Sequence, residues 1–240
     1  MEGLGLRMVD ISNQIVPRDR YAEYFMFLAG LATTLDRIGI TIRTLQRTEI
    51  GELEEPFGSK QVGSSTMPHK RNPIRSEQVS GLARIIRAAV EPALQNNTHW
   101  DERDLTNSSC ERVIFPEATI LTDHILGVMT GVLDGLTINE ENVRKNLTIL
   151  DGIPMAESVM VELTKRGMGR QDAHEAVRVA SMEAIRKKED LASILAGDPR
   201  VKQFLTRKEL KNLLDPGKYI GTAPEQVDQV ILRLSPLCGS

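Results

Sequence analysis

The chain has 240 residues, enough for one large or two small domains with a sizeable apolar core. At 40% hydrophobic and 26% charged residues it reads as an ordinary globular chain rather than a disordered one. Thirty basic against 33 acidic residues give a formal charge of −3, which excludes the strong positive field of a dedicated nucleic-acid binder.

Only 4% of residues are aromatic and strand-type alternation is absent, so the expected fold is all-α. Apolar positions at Tyr21, Tyr24, Leu28, Leu31, Leu35, Ile38, Ile42 and Leu45 recur at alternating spacings of three and four, the seam of a long bundle helix. A second helix is expected from Pro73, where a missing N–H costs nothing, with Leu82, Ile85, Ile86, Ala89 and Ala93 on one face and a bend at Pro92. A third, from about Pro116 to Leu136, carries Leu121, Ile125, Val128, Val132 and Leu136. After Thr137 the texture changes to short helices broken by Gly and Pro, opening with an Asn139 N-cap and first-turn Glu140 and Glu141. The expected organisation is a long-helix bundle over 1–137 and a small helical domain over 138–240, in which Ala173, Ala176, Val177 and Ala180 share one face.

No apolar run approaches the ~18–20 residues of a bilayer span, and charges at Glu2, Arg7, Asp10, Arg18 and Asp19 stand where a signal peptide needs an apolar stretch. Cys110 and Cys238 are far apart, which indicates neither a disulfide framework nor a zinc site. A cytoplasmic chain with neither nucleic acid nor membrane as partner is expected.

Two segments resist a purely structural reading. Gly58 to Pro73 combines glycines with Ser59, Gln61, Ser64, Ser65, Thr66, His69 and Asn72 and the cations Lys60, Lys70 and Arg71, ahead of the positive end of a helix. That is the make-up of an anion-binding loop, the competing reading being a solvated connection. Between Asn97 and Arg112, Arg103 and Arg112 are candidate oxyanion clamps, with pairing to Asp101, Asp104 or Glu111 as the alternative.

Val62-Gly-Ser-Ser-Thr-Met-Pro-His-Lys-Arg-Asn-Pro-Ile74 resembles the signature loop of the fumarase/aspartase superfamily, whose members eliminate fumarate or a fumarate-like product across a C–N or C–O bond. Asp101-Glu-Arg-Asp-Leu-Thr-Asn-Ser-Ser-Cys-Glu-Arg112 and Gln14-Ile-Val-Pro-Arg-Asp-Arg20 resemble stretches of adenylosuccinate lyases, and favour these over carboxymuconate cycloisomerases, which share much of the loop. The resemblance implies cleavage of adenylosuccinate to AMP and of SAICAR to AICAR, each releasing fumarate, in purine biosynthesis. It makes Ser64 the general base, whose alkoxide the loop's N–H groups and cations must stabilise.

By the same resemblance Lys70 and Asn72 hold the succinyl carboxylates, Ser65 is a substrate-binding residue, Lys70 offsets charge in the transition state, and Glu77 orients a catalytic histidine. Gln14, Arg103, Ser108 and Arg112 match substrate-contacting positions, with the arginines and Ser108 toward the phosphate. No role passes to His69, His99, His124 or His174, and neither a metal nor an organic cofactor is implied. Family members are about twice as long, so the chain is expected to be a C-terminal half without the general-acid histidine. The family's sites assemble from three subunits of a homotetramer, so a homo-oligomer is expected. A helical scaffold retaining a lyase fragment is the reading from a different class.

Overall fold

A computed structural model describes residue 5 and residues 9–57 and 71–238. Among them two compact units separate, Met1–Asn142 and Val143–Ser240. Helices dominate both, with one two-residue antiparallel β-pair, β1 (Leu53–Glu54) and β2 (Thr137–Ile138).

Unit 1 is built on three elements: α1 (Asp19–Leu45), α2 (Ile74–Ala88) continued by α3 (Val90–Gln95), and α4 (Thr106–Asp134). The buried stripe of α1 is Ala22, Phe25, Leu28, Ala32, Leu35, Gly39 and Ile42. It shares Leu28, Leu35 and Ile42 with the expected seam but turns toward small residues, while Tyr24 on the seam is 37% exposed. The reason is close approach. A Cβ on Gly39 would lie 3.2 Å from the Ser76 carbonyl oxygen and 3.5 Å from Ser80 Oγ, so α2 settles against the narrow side of α1. Val79, Ala83 and Ile86 of α2 and Ala118, Ile125, Met129 and Val132 of α4 complete this core.

The second expected helix is interrupted at Ala89, three residues before Pro92, whose missing N–H and ring disfavour an unbroken ladder. α4 starts ten residues before Pro116 and carries that proline inside it. Its start is set instead by Asp104, whose carboxylate accepts from the Thr106 and Trp100 N–H groups and from the Thr106 hydroxyl. The Thr106 hydroxyl, then the two N–H groups, hold Asp104 well below the usual carboxylate range. Residues 106–112, ahead of the helix start expected at about Pro116, are therefore helical.

The expectation of no stretch long and apolar enough for a bilayer is also corrected. α1 and α4 are long and apolar enough by length and composition, although about a third of the apolar stretch of each is buried in the protein. Counting consecutive apolar residues missed this because Gly, Ala and Thr interleave the large side chains. Even so, the α1 stripe packs on protein, and Asp36 within α1 pairs with Arg87 of α2 at 3.0 Å.

α5 (Glu140–Leu147) opens with Asn139, whose Oδ1 accepts from Asn142 N–H at 3.1 Å, as the sequence pattern indicates. In unit 2, α6 (Ala156–Lys165), α7 (Arg170–Lys187), α8 (Leu191–Gly197), α9 (Pro199–Lys202) and α10 (Arg207–Leu213) enclose a core of Val159, Leu163, Leu191, Leu195, Val201 and Leu210. The expected α7 face of Ala173, Ala176, Val177 and Ala180 is buried in it. Short helices need strong ends: Asp190 caps α8, Asp198 caps α9, and Thr206 with Glu209 closes a capping box on α10. α11 (Ala223–Cys238) follows, its described side chains exposed.

Candidate functional site

Ser64, Ser65, His69 and Lys70 lie outside the described residues, as does most of the segment they share. Its exit is described. Asn72 and Pro73 precede α2, and Glu77 stands exposed on the first helical turn, its N–H donating to the Pro73 carbonyl at 3.0 Å. An acidic residue there is favoured by the helix dipole. Asn72 and Glu77 line a cleft of about 980 Å³ together with Arg43, Arg47, Arg71 and Asn142. Glu54 lines the cleft as well and pairs with Arg71, whereas Arg43 donates to Ser80 Oγ at 3.3 Å.

Pro73 sits at the N-cap rather than inside the helix and offers no side-chain acceptor. The first-turn donors are met from elsewhere. Glu55, 6% exposed, accepts from Ser76 N–H at 2.7 Å and from Arg75 N–H at 3.2 Å. Sequence reading did not single out Glu55. It lies in a run of acidic residues, and its partners are 20 and 21 positions away, beyond any local pattern.

The second group of candidates sits at the other end of the bundle. Ser108 and Arg112 are one turn apart on α4 and share a face, and Arg103 lies three residues before the helix. Gln14 is exposed, four residues ahead of Arg18. Arg18 joins this segment to α4: its Nε donates to Glu111 Oε1 at 2.6 Å, and its Nη1 to the Val16 carbonyl at 2.6 Å. Glu111 is thereby committed to Arg18, and Asp104 to the start of α4. Among the described residues Arg103 and Arg112 form no ion pair, so the local-pairing alternative does not hold and both guanidinium groups are open to an oxyanion.

The two groups are not brought together within one copy. The C-terminal end of α1 meets the start of α2, with Gln46 Nε2 3.4 Å from the Arg71 carbonyl, while its N-terminal end meets the first half of α4 through Arg18–Glu111 and Tyr24–Thr119. At 1.5 Å per residue α1 separates them by about 40 Å. No substrate of nucleotide size bridges that span. Among the described residues no group of three or more His, Cys, Asp or Glu is arranged to hold a metal ion.

Comparison with known proteins gives these features a frame. Residues 152–230 match the family described as adenylosuccinate lyase C-terminus, and residues 1–87 the family described as lyase. The chain is 53% identical over 234 residues to an adenylosuccinate lyase of Methanocaldococcus jannaschii, covering 97% of this chain and 51% of that one. It is 54% identical over 231 residues to that of Pyrococcus horikoshii, covering 96% and 51%. The solved structure of the 3-carboxy-cis,cis-muconate lactonizing enzyme from Pseudomonas putida superposes with a TM-score of 0.86 at 28% identity, over 99% of this chain and 52% of the other. The chain spans about half the length of the curated relatives it matches.

Proposed function

Because the chain belongs to the adenylosuccinate lyase family of the fumarase/aspartase superfamily, we propose that it carries the base-bearing part of an adenylosuccinate lyase acting on adenylosuccinate and SAICAR. The observation that carries this reading is the degree of likeness: 53% identity to an adenylosuccinate lyase over nearly the whole chain, against 28% to a muconate lactonizing enzyme of equal fold. The open guanidinium groups of Arg103 and Arg112 support it further, since a substrate with a phosphate needs cations that no neighbouring carboxylate has neutralised.

In this reading Ser64 removes the proton β to the leaving nitrogen. Lys70 and Asn72 hold the succinyl carboxylates as charge builds on them, Ser65 binds the substrate, and Glu77 orients the histidine of the acid step. Gln14, Arg103, Ser108 and Arg112 hold the nucleotide end. The length of α1, about 40 Å, runs between the bundle end that carries Glu77 and the end that carries Arg112, which supports a site that takes these groups from different copies. We therefore propose a homo-oligomer, a tetramer by family analogy. Exposed Met26, Phe27, Ile40, Ile85, Val113 and Ile120 on the bundle helices supply apolar surface for it. A cytosolic enzyme without metal or organic cofactor fits this chemistry.

The test follows adenylosuccinate cleavage by ultraviolet absorbance, with the 240-residue chain alone and mixed with the part of the Methanocaldococcus jannaschii relative outside the matched span. Activity on mixing that disappears with Ser64→Ala is the expected result. Activity of the chain alone would show that it holds its own acid group, and silence in both, with association demonstrated, would favour a scaffold.

A further inference from the structure

Glu55 is the only ionisable side chain among the buried polar residues described, and its place is not explained by unit-1 core packing. Its two carboxylate oxygens are divided between the N–H groups of Arg75 and Ser76, the second and third residues of α2. Four N–H groups at a helix start lack partners within the helix, and Pro73 has no side-chain oxygen to offer. The cap thus comes from 20 residues away in sequence.

The carboxylate does not act alone. Gln46, at the end of α1, accepts from the Glu55 N–H with its Oε1 at 3.0 Å and donates from Nε2 to the Arg71 carbonyl at 3.4 Å. One amide therefore ties the chain on the β1 side to the chain just ahead of Asn72. The Glu54–Arg71 ion pair and the Arg71 guanidinium over the Phe57 ring, 5.4 Å to its centroid, fasten the same two strands of chain. Between Arg71, held by Gln46 and Glu54, and Arg75 and Ser76, held by Glu55, lie Asn72, Pro73 and Ile74; Glu77 follows directly.

We infer that Glu55 is a positioning residue: by capping α2 from outside the helix it fixes where Asn72 and Glu77 stand, with Gln46 setting the height of Glu55 against Arg71. The inference rests on the elimination proposed above, in which Asn72 holds a carboxylate and Glu77 orients the acid group. A rigid anchor matters there because a displacement of about 1 Å at such groups costs on the order of a hundredfold in rate.

The experiment uses the 240-residue chain with Glu55→Leu, which removes both acceptors at similar volume, and with Glu55→Gln, which keeps one oxygen for the Ser76 N–H. Amide exchange is read at Arg75 and Ser76, and kcat and KM per assembled molecule are measured after mixing with the remainder of the Methanocaldococcus jannaschii relative. Glu55→Leu is expected to speed exchange at the two amides about tenfold or more, leaving Ala83 to Ala88 and unit 2 unchanged. It should lower kcat about a hundredfold, against a smaller rise in KM, and Glu55→Gln should recover most of that loss.

Unchanged exchange at Arg75 and Ser76 would overturn the capping role. A Glu55→Leu kcat within about threefold of the parent would overturn the positioning role, as would equal losses in both variants with exchange accelerated along all of α2, the signature of a merely structural residue. Should Glu55→Leu not fold, Glu55→Gln decides: faster exchange at Arg75 with a lower kcat supports the inference, and parental values in both overturn it. A silent parental mixture instead removes the elimination and the inference together, whereas an active parent with an unaffected variant removes the inference alone.

Discussion

Replacing Arg18 by alanine removes four interactions at the junction of α1 and α4. Its guanidinium gives two N–H···O contacts to Glu111, at 2.6 and 3.3 Å, and one to the Val16 carbonyl, and it lies 4.8 Å from the Tyr21 ring centroid. The Arg18 and Glu111 side chains are only 13% and 15% exposed, so Arg18→Ala leaves a carboxylate largely out of water without a partner. Breaking a fully buried pair from one side costs about 3–5 kcal/mol, and residual solvent access puts this one near the lower bound, at about 3 kcal/mol. Glu111→Ala, which leaves the arginine its Val16 and Tyr21 contacts, should cost about 2 kcal/mol. In a double-mutant cycle the coupling should then be about 2 kcal/mol, or roughly thirtyfold in the exchange rates of α1 amides followed by native-state hydrogen exchange. Exchange in unit 2 should not change. A coupling below about 0.5 kcal/mol would place the pair with ordinary surface ion pairs and refute its role in joining the Gln14 segment to the Arg112 helix.

Other consequences can be measured with single variants. Gly39→Ala should be near neutral in thermal melting, because about 1 kcal/mol of helix propensity offsets the 3.2 Å approach to the Ser76 carbonyl; Gly39→Leu should cost about 2–3 kcal/mol, and equal effects would contradict the close α1–α2 approach. In unit 2 the Glu209 carboxyl is held at about 2, against an ordinary 4.5, by the Thr206 hydroxyl first and then by the Thr206 N–H and Arg166. A depressed folded-state value contributes stability that is present above 4.5 and lost as pH falls from there through 2. The stability gap between the parent and Glu209→Gln should therefore close over that window in unit-2 exchange, and a gap that widens on acidification would be the wrong sign. Arg112→Ala should leave melting unchanged, since Arg112 forms no ion pair among the described residues, yet raise KM in the mixed enzyme about thirtyfold, the ~2 kcal/mol of a charge-assisted contact. A KM within threefold of the parent would remove Arg112 from the phosphate site.

What could be read from the sequence was what local spacing encodes. The extent of α1, the buried α7 face from Ala173 to Ala180 and the Asn139 cap of α5 all follow from residues within about two turns of one another. The signature segment and the Arg103–Arg112 stretch stood out by residue type alone, glycine, hydroxyls and cations in a fixed order, and the chemistry expected of them remains the proposal made above. Where contacts between distant residues decided the outcome, local reading failed. The α1 stripe turned toward Ala22, Ala32 and Gly39 because α2 comes close there, which no count of large apolar residues reveals. α4 began at Thr106 because Asp104 gathers the N–H groups, even though Pro116 looked like the natural first turn.

Composition, periodicity and motif order by themselves determined a helical chain with two stretches, Gly58 to Pro73 and Asn97 to Arg112, where polar and cationic side chains concentrate. Only the tertiary structure separated those stretches. α2 and α3 carry the chain the length of the bundle at about 1.5 Å per residue, so Glu77 and Arg103, 26 positions apart, finish at opposite ends of a rigid helical array. A helix converts closeness in sequence into distance in space, and the cap that Glu55 places on α2 does the reverse, joining residues that the sequence keeps apart.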